Sequence, residues 1–219
     1  MKRDIHVVQA EPDDADQLSR LIAAAFLDLS ASRFLVPDED WRRRIYPEFF
    51  KLTYVGPGLA GGLVHCTSDR LAAAVWLPVG GAAVHHEPDH GYPDHGYPDH
   101  DYEAALQELT AGFYPNFVAF DKLLREAHEP YLGTPHDFLG VVGAHPAVWR
   151  QGNLRALMAR RLPVLDARDR GSYLEAAEPE LVGVYRKFGY ERTDRVITLP
   201  GGHQMFPMWR EPMSGVAPH

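Results

Sequence analysis

The chain has very little cysteine: Cys66 is the only one among 219 residues. One cysteine excludes an intrachain disulfide framework and a zinc site built from several cysteines. We interpret Cys66 as a buried, unreactive thiol in preference to a catalytic one, because buried free cysteine behaves as a small apolar residue. This cysteine usage fits a cytoplasmic protein.

Positive charge and long apolar runs are also scarce. The chain has 22 Lys and Arg against 30 Asp and Glu, a formal net charge of -8 at pH 7. Such a chain offers no basic field to nucleic acid or to an anionic membrane, so we expect small-molecule partners instead. No apolar run approaches the roughly 20 residues that span a bilayer, and the N-terminal stretch lacks the apolar segment of a signal peptide. We expect a soluble protein that is not exported.

Hydrophobic residues make up 45% of the sequence, enough for one core. We predict a single domain over residues 1–212 and a flexible tail at residues 213–219. Monomer and homodimer both stay open.

The N-terminal part predicts, in chain order, one strand, two helices and two further strands. "IHVVQA" is rich in β-branched residues, and "EPDD" after it suits a helix start. The next segment carries apolar residues on one helical face, at Ala15, Leu18, Ile22, Ala25 and Phe26. "WRRRIYPEFFKLTYV" predicts a second helix, interrupted near Pro47. "GLVHCTS" and "RLAAAVWLPV" predict antiparallel strands, the second ended by Pro78 and Gly80.

A short tandem repeat, "PDHGY", lies within residues 84–102. Its proline, glycine and charge predict a disordered surface insert. The insert also contains side chains that suit a transition metal: His85, His86, His90, His95, His100, Asp89, Asp94 and Asp99. We favour the insert over a metal site because the five-residue spacing does not align ligands on a helix face. Residues 102–128 then predict a helix that breaks at Pro115.

The C-terminal part predicts a strand, a loop and a helix in succession. "HDFLGVVGAHP" predicts a strand buried on both faces. The following helix carries an apolar stripe at Leu154, Leu157, Met158 and Leu165. A helix N-terminus after a glycine-bearing loop presents unpaired N–H groups and a partial positive charge, which suit a pyrophosphate or a phosphopantetheine group. "SYLEAAE" then predicts a strand, "ELVGVYRKFGY" a helix closed by Gly189, and the last segment a hairpin turning at "PGG".

This order of elements, with "VGAHP", "YLEA", "VYRKFGY" and "LPGGHQMFPMWR", resembles the GNAT superfamily of N-acetyltransferases. More narrowly it resembles the puromycin N-acetyltransferase-like branch, over nearly the whole chain apart from the insert. The resemblance implies a single α/β domain with a mixed, mostly antiparallel sheet, a splayed central strand pair and flanking helices. It also implies acetyl-CoA as the acyl donor.

The resemblance further implies which residues hold acetyl-CoA. Strand backbone would pair with the pantetheine arm and polarise the thioester at Val141, Val142, Gly143 and Ala144. The loop that would hold the pyrophosphate comprises Arg150, Gln151, Gly152, Asn153 and Leu154. The family loop reads Gln or Arg, two residues, Gly, one residue, then Gly or Ala; this chain has Trp149, Gly152 and Leu154 there. Leu154, Arg150 and Leu181, which stands where relatives often carry asparagine, depart from the pattern and put coenzyme A binding in question.

Two side chains match the family's catalytic positions. Tyr185 would donate a proton to the departing thiolate, whose basicity is comparable to that of a phenol. Glu175 would accept the proton of the amine. Each has a plain structural alternative: aromatic packing for Tyr185, and a strand-end carboxylate with a structural partner for Glu175. His145 at the strand exit is interpreted as a turn residue, and His203 and Trp209 as sheet packing in preference to a substrate wall.

We therefore expect an N-acyltransferase that moves an acetyl group from acetyl-CoA to an amine of a small, antibiotic-like or natural-product-like molecule, without a covalent enzyme intermediate. The alternative is a GNAT fold that has lost coenzyme A and catalyses an isomerisation, elimination or cyclisation, or sequesters a ligand. Metal storage or sensing by the insert is a third hypothesis, and we assign no metal ligand.

Overall fold

The computed structural model of the protein describes residues 4–80 and 99–213. The strands are β1 (Val7–Gln9), β2 (Leu63–Thr67), β3 (Ala72–Val79), β4 (His136–Ala144), β5 (Gly171–Ala176), β6 (Glu191–Arg192), β7 (Ile197–Thr198) and β8 (Gln204–Arg210). The helices are α1 (Ala15–Phe26), α2 (Ser30–Leu35), α3 (Glu39–Phe50), α4 (Gly56–Ala60), α5 (Asp99–Thr110), α6 (Tyr114–His128), α7 (Asn153–Ala167) and α8 (Pro179–Arg186).

Within the described residues the strands form one sheet in the order β1-β2-β3-β4-β5-β8-β6, with β7 paired to β8. All pairings are antiparallel except that of β4 with β5, which is parallel. The predicted antiparallel pairing of β2 with β3 is therefore confirmed. The mixed, mostly antiparallel α/β architecture expected from the sequence is confirmed as well.

The sheet separates two apolar layers. One face of β4 and β5 contributes Phe138, Val141 and Tyr173 to a core shared with α1, α2 and α3. The opposite face contributes Leu139, Leu174 and Ala176 to a core shared with α7 and α8. This separation follows from the alternation of side chains along a strand. As a result, side chains from different helices lie on the two faces of one sheet.

The beginnings of β4 and β5 are joined by a buried ionic network. Asp137, whose side chain is 2% exposed, accepts hydrogen bonds from Arg161 of α7 and from Arg170 just before β5. Arg170 also donates to the backbone oxygens of Val79 and His136, at 3.0 and 2.6 Å. Buried charges are stable only when paired and fully hydrogen-bonded, so the network fixes this end of the strand pair.

The predicted interruption of the second helix at Pro47 is wrong. Pro47 lies inside α3, and the irregularity comes later, as a π-helical segment at Lys51–Val55. The missing proline N–H costs one helical hydrogen bond. Packing of the neighbouring aromatic rings offsets that cost, since Tyr46 and Phe50 meet edge to face with centroids 5.5 Å apart.

Other helix predictions agree more closely with the structure. The helix predicted over residues 102–128 breaks into α5 and α6, and the break is a 3-10 turn at Ala111–Phe113 just before Pro115. The stripe on α7 is buried at Leu157, Met158 and Leu165. Leu154 packs against the same core while partly exposed.

The predicted insert at 84–102 falls mostly on residues 81–98, outside the described residues. The prediction of a disordered insert is wrong for its last residues, because α5 begins at Asp99. The metal-site alternative likewise rests largely on residues that the structure does not describe. Among residues 4–80 and 99–213, no group of three or more His, Cys, Asp or Glu is placed to hold a metal ion. No helix in those two ranges is long and apolar enough to cross a membrane.

Candidate active site

The centre of the sheet opens where β4 and β5 separate. Their parallel pairing covers three residue pairs, His136 to Gly171, Asp137 to Ser172 and Phe138 to Tyr173. Beyond Phe138, β4 continues to Ala144 while paired only with β3. The backbone of Val141, Val142, Gly143 and Ala144 therefore has a strand partner on one side and faces the gap on the other. That this edge binds an acyl donor stays a prediction.

A bulge in β4 marks the start of this gap. Val75 pairs with Val141 and Trp76 with Leu139, so Gly140 is the extra residue. A Cβ on Gly140 would lie 2.8 Å from Cδ1 of Tyr54, the ring in the π-helical segment. The absence of a side chain thus lets the Tyr54 ring lie directly against the bulge.

Glu175 lies on the separated part of β5, two residues after the last pair. Alternation places its side chain on the same face as that of Tyr173. Its Oε1 atom is buried and has no hydrogen-bond partner among the described residues. Burial raises the pKa of Glu175 to about 8, and the nearby Tyr173 hydroxyl offsets only part of that rise. A carboxyl group with this pKa exchanges a proton close to neutral pH, which suits a general base.

Tyr173 is fully buried and belongs to a group of side chains that sequence reasoning missed. His128 stacks on it, with ring centroids 3.9 Å apart and planes 4° from parallel. The Nδ1 atom of His136 lies 2.7 Å from the Thr134 oxygen, and its Nε2 lies 2.7 Å from Nε2 of His128. The carbonyl requires Nδ1 of His136 to donate, so Nε2 of a neutral His136 accepts from His128. Burial lowers the pKa of His136 accordingly.

Tyr185 approaches from the other side of the sheet. It lies on α8, is 6% exposed and belongs to the α7 and α8 core. Its ring meets Tyr190 edge to face at 6.0 Å, and its hydroxyl has no hydrogen bond to any described residue. Burial raises its pKa well above the ordinary value, so the group stays protonated and is available only as a donor.

The loop before α7 has the backbone of an anion-binding turn. Gly152 precedes the helix with φ +95°, and a Cβ there would meet only Ile5, at 3.7 Å, so the space around it is open. Arg150 also has a left-handed backbone, with φ +60°. The first N–H groups of a helix have no partners within it, and they attract anions. That this helix start holds a pyrophosphate stays a prediction, and the Leu154 side chain is the feature least suited to one.

Side chains of the loop tie it to its own backbone. The Nε1 of Trp149 donates to the Ala144 oxygen at 2.8 Å. Gln151 and Asn153 donate through their amides to the oxygens of Ala147 and Val148, at 2.7 and 2.8 Å. These bonds fix the loop, but the first occupies one of the backbone acceptors assigned to pantetheine.

The remaining candidates have structural contacts. His145 accepts a hydrogen bond from the Ala147 N–H at 3.2 Å, as expected of a turn residue. His203 donates to the Ala177 oxygen at 2.8 Å. Trp209 stacks on Tyr131 at 4.8 Å. Leu181 packs, partly buried, against the same core as Leu154, and it supplies no polar group to a donor.

No protein-family model matches the chain, and no curated protein does. Solved structures match it over nearly its whole length. A GCN5-related N-acetyltransferase from Rhodopseudomonas palustris is 11% identical, with 96% of this chain and 98% of that one covered and a TM-score of 0.53. The chain has the fold of GCN5-related N-acetyltransferases.

Two further structures share this GCN5-related fold. A histone acetyltransferase HPA2-related acetyltransferase from Corynebacterium glutamicum is 16% identical, covering 98% of this chain and 100% of its own, with a TM-score of 0.57. Arylalkylamine N-acetyltransferase 2 from Aedes aegypti is 11% identical, with coverages of 95% and 99% and a TM-score of 0.64. The fold expected from the sequence is thus confirmed, and the narrower resemblance to the puromycin N-acetyltransferase-like branch stays a prediction.

Proposed function

We propose that this protein is an N-acyltransferase that moves an acetyl group from acetyl-CoA to an amine of a small molecule. The observation that carries the proposal is the separation of β4 from β5 after Phe138 and Tyr173, which leaves β4 backbone and Glu175 at one gap. Structures that share the fold include an arylalkylamine N-acetyltransferase, which supports an amine as acceptor. An antibiotic-like or natural-product-like amine is suggested by the puromycin-like resemblance.

The donor would lie along the gap. The N–H groups at the start of α7, with Gly152, would hold the pyrophosphate, and the open edge of β4 would hold the pantetheine arm. Acetyl-CoA supplies an activated thioester, so no residue of this chain needs to become acylated. This arrangement leaves the face that carries Glu175 for the acceptor.

Glu175 is assigned as the general base. Its buried Oε1 has no other partner among the described residues, so it is available to accept a proton from the amine. The burial that raises the pKa of Glu175 to about 8 makes the carboxylate a stronger base than an exposed one. Tyr54 and Tyr173 belong to the core on this face of the sheet, and both interact electrostatically with Glu175.

Tyr185 is assigned as the general acid. Its hydroxyl donates a proton to the departing sulfur from the α8 side, opposite the face that carries Glu175. Burial raises the pKa of Tyr185 and keeps it protonated at neutral pH. The same burial would raise the basicity of the thiolate formed beside it, so the proton can pass to the sulfur. Acid and base thus act from different layers of the molecule, which separates the two proton transfers.

A second candidate function is a reaction without coenzyme A, or ligand sequestration, in the same gap. It is favoured by the bond from Trp149 to the Ala144 oxygen, which occupies an acceptor in the expected donor site. The bulky Leu154 and Leu181 side chains favour it as well. An isomerisation, elimination or cyclisation would use Glu175 and Tyr185 as a base and an acid in the same places.

Calorimetric titration with acetyl-CoA separates the two functions. Micromolar binding by the unmodified protein, together with acetylation of an amine panel, is the expected result. Desulfo-CoA, which carries no thioester, serves as a control for binding without turnover. No heat of binding at millimolar acetyl-CoA would overturn the acyltransferase proposal and favour the second candidate.

A further inference from the structure

Trp149 is the one aromatic residue among the exposed large hydrophobic side chains of residues 4–80 and 99–213. Its exposed fraction is 59%, in contrast to the fully buried Trp76. It lies three residues before Gly152, at the loop position where relatives of the resembled family carry Gln or Arg. Its exposure and its place in the loop proposed to hold the donor make the ring a candidate ligand contact.

The Trp149 ring is held in a defined orientation. Its Nε1 donates to the Ala144 oxygen at 2.8 Å, so its polar edge points to the end of β4. The next residue, Arg150, adopts φ +60°, a conformation that costs a non-glycine residue free energy. The loop therefore holds the ring by a directed hydrogen bond on one side and a tight backbone turn on the other, while most of the ring surface stays exposed.

The surroundings of Trp149 are those of a nucleotide site. Arg150 and Arg155 are exposed, and neither makes an ion pair within the described part of the chain. Between them stands the start of α7, whose free N–H groups favour anions. A fixed aromatic face beside cationic and N–H donors matches a ligand with a planar base joined to phosphates, since bases stack on tryptophan while phosphates pair with arginine.

We propose that Trp149 is a stacking platform for the adenine ring of coenzyme A. This inference rests on the proposed function and makes the donor more specific. The site takes a nucleotide-bearing thioester in preference to a phosphopantetheine thioester on a carrier protein, because the latter has no base to stack. At position 149, where relatives of the resembled family carry Gln or Arg, tryptophan would then replace a polar contact to the pyrophosphate with a stacking contact to adenine.

Binding of two donors to two proteins tests the platform. Acetyl-CoA and acetyl-phosphopantetheine are titrated calorimetrically into the unmodified protein and into Trp149→Ala. Stacking predicts that Trp149→Ala weakens acetyl-CoA binding about tenfold and leaves acetyl-phosphopantetheine binding unchanged. Acetyl-CoA also carries two phosphates that acetyl-phosphopantetheine lacks. Because Trp149→Ala changes no charge, a selective loss of acetyl-CoA affinity reports on the base.

Tryptophan fluorescence provides a second readout on folded, unmodified protein. Acetyl-CoA should quench the emission of the exposed Trp149, and Trp149→Phe should abolish the quench. Trp41→Phe is the matched control and should preserve it, because Trp41 lies on α3 and keeps Trp149 intact.

The outcomes distinguish this inference from the proposed function. Equal weakening of both donors by Trp149→Ala, or a quench that survives Trp149→Phe, would overturn the platform while leaving the acyltransferase standing. Failure of the unmodified protein to bind acetyl-CoA at all would overturn both. Selective loss of acetyl-CoA affinity together with loss of the quench would establish the platform.

Discussion

Phe138 and Tyr173 form the last residue pair between β4 and β5, and the two strands separate immediately beyond them. The buried network around Asp137 holds the strands together before this point. The two strands are therefore held together on one side of the gap, and Glu175 lies just beyond their last residue pair. This relationship makes Glu175 the first residue to test.

Replacing Glu175 by Gln removes the proposed base with little change in shape. We expect kcat/KM of the unmodified enzyme to rise with pH through an inflection near 8, because burial raises the pKa of Glu175 to about 8. In Glu175→Gln that inflection should disappear, and kcat should fall about a hundredfold. A pH–rate profile of both proteins measures this, and an unchanged inflection in the variant would remove Glu175 from the mechanism.

The same pKa shift also predicts a change in stability. The native carboxyl stays neutral up to about pH 8, whereas the unfolded one ionises near 4.5. The native state thus holds the extra proton, so the free energy of unfolding falls as pH rises between these values. Glu175→Gln should abolish that fall, a difference of about 4 kcal/mol in urea unfolding between pH 5 and pH 8.5.

Tyr185→Phe should lower kcat about a hundredfold, because it removes the only proton that the proposed acid supplies. The KM for the amine should stay the same, since Tyr185 lies on the opposite face. Stability should hardly change, because the hydroxyl makes no hydrogen bond to a described residue. Steady-state kinetics and thermal unfolding measure both effects.

Tyr190→Phe is the matched control for that variant. The Tyr190 hydroxyl bonds to Ser172 at 2.6 Å, so its loss should cost about 1 kcal/mol of stability. Its kcat should remain near that of the unmodified enzyme. If the two variants lose activity equally, packing and not proton donation explains the effect at Tyr185.

The sequence predicts the architecture well and the site unevenly. The apolar run of β4 and the stripe on α7 are local patterns, and the structure confirms both elements. The contact of Tyr54 with Gly140 was not predicted, because it depends on a β-bulge that no local pattern signals. The position of Tyr173 beside Glu175 could have been predicted, because Tyr173 precedes Glu175 by two residues on a strand and must lie on the same face. The stack of His128 on Tyr173 joins a helix to a strand and has no local signature.

Gly140→Ala tests the contact at the bulge. The added Cβ would stand 2.8 Å from the Tyr54 ring, which is itself buried between other rings, so the ring or the strand must shift. We expect a loss of about 1–3 kcal/mol in the free energy of unfolding and reduced activity. Gly183→Ala is the control, because a Cβ there meets nothing within 4 Å and should stabilise the helix slightly.

His65 predicts a loss of stability in acid. It is buried on β2, and burial lowers its pKa to about 4. The unfolded chain binds a proton near pH 6.5 while the native one does not, so stability falls as pH drops below 6.5. His65→Gln should reduce the fall between pH 7.5 and pH 4.5 by about 2 kcal/mol. His6→Gln, the same change at an exposed position, is the control, and an equal effect of both variants would contradict the assignment.

Leu154→Ala tests whether the loop before α7 is only partly adapted to coenzyme A. Alanine meets the family pattern at this position and, unlike Leu154→Gly, keeps a good helix former in the first turn. Removing the side chain frees space at the helix start, so acetyl-CoA should bind several times more tightly in calorimetry. The lost packing against the α7 and α8 core should cost about 1–2 kcal/mol of stability.

Leu132→Ala, the same change at an exposed position, should alter neither quantity. Unchanged or weaker affinity in Leu154→Ala would show that this leucine does not obstruct the donor, and Leu181 would become the residue to replace next.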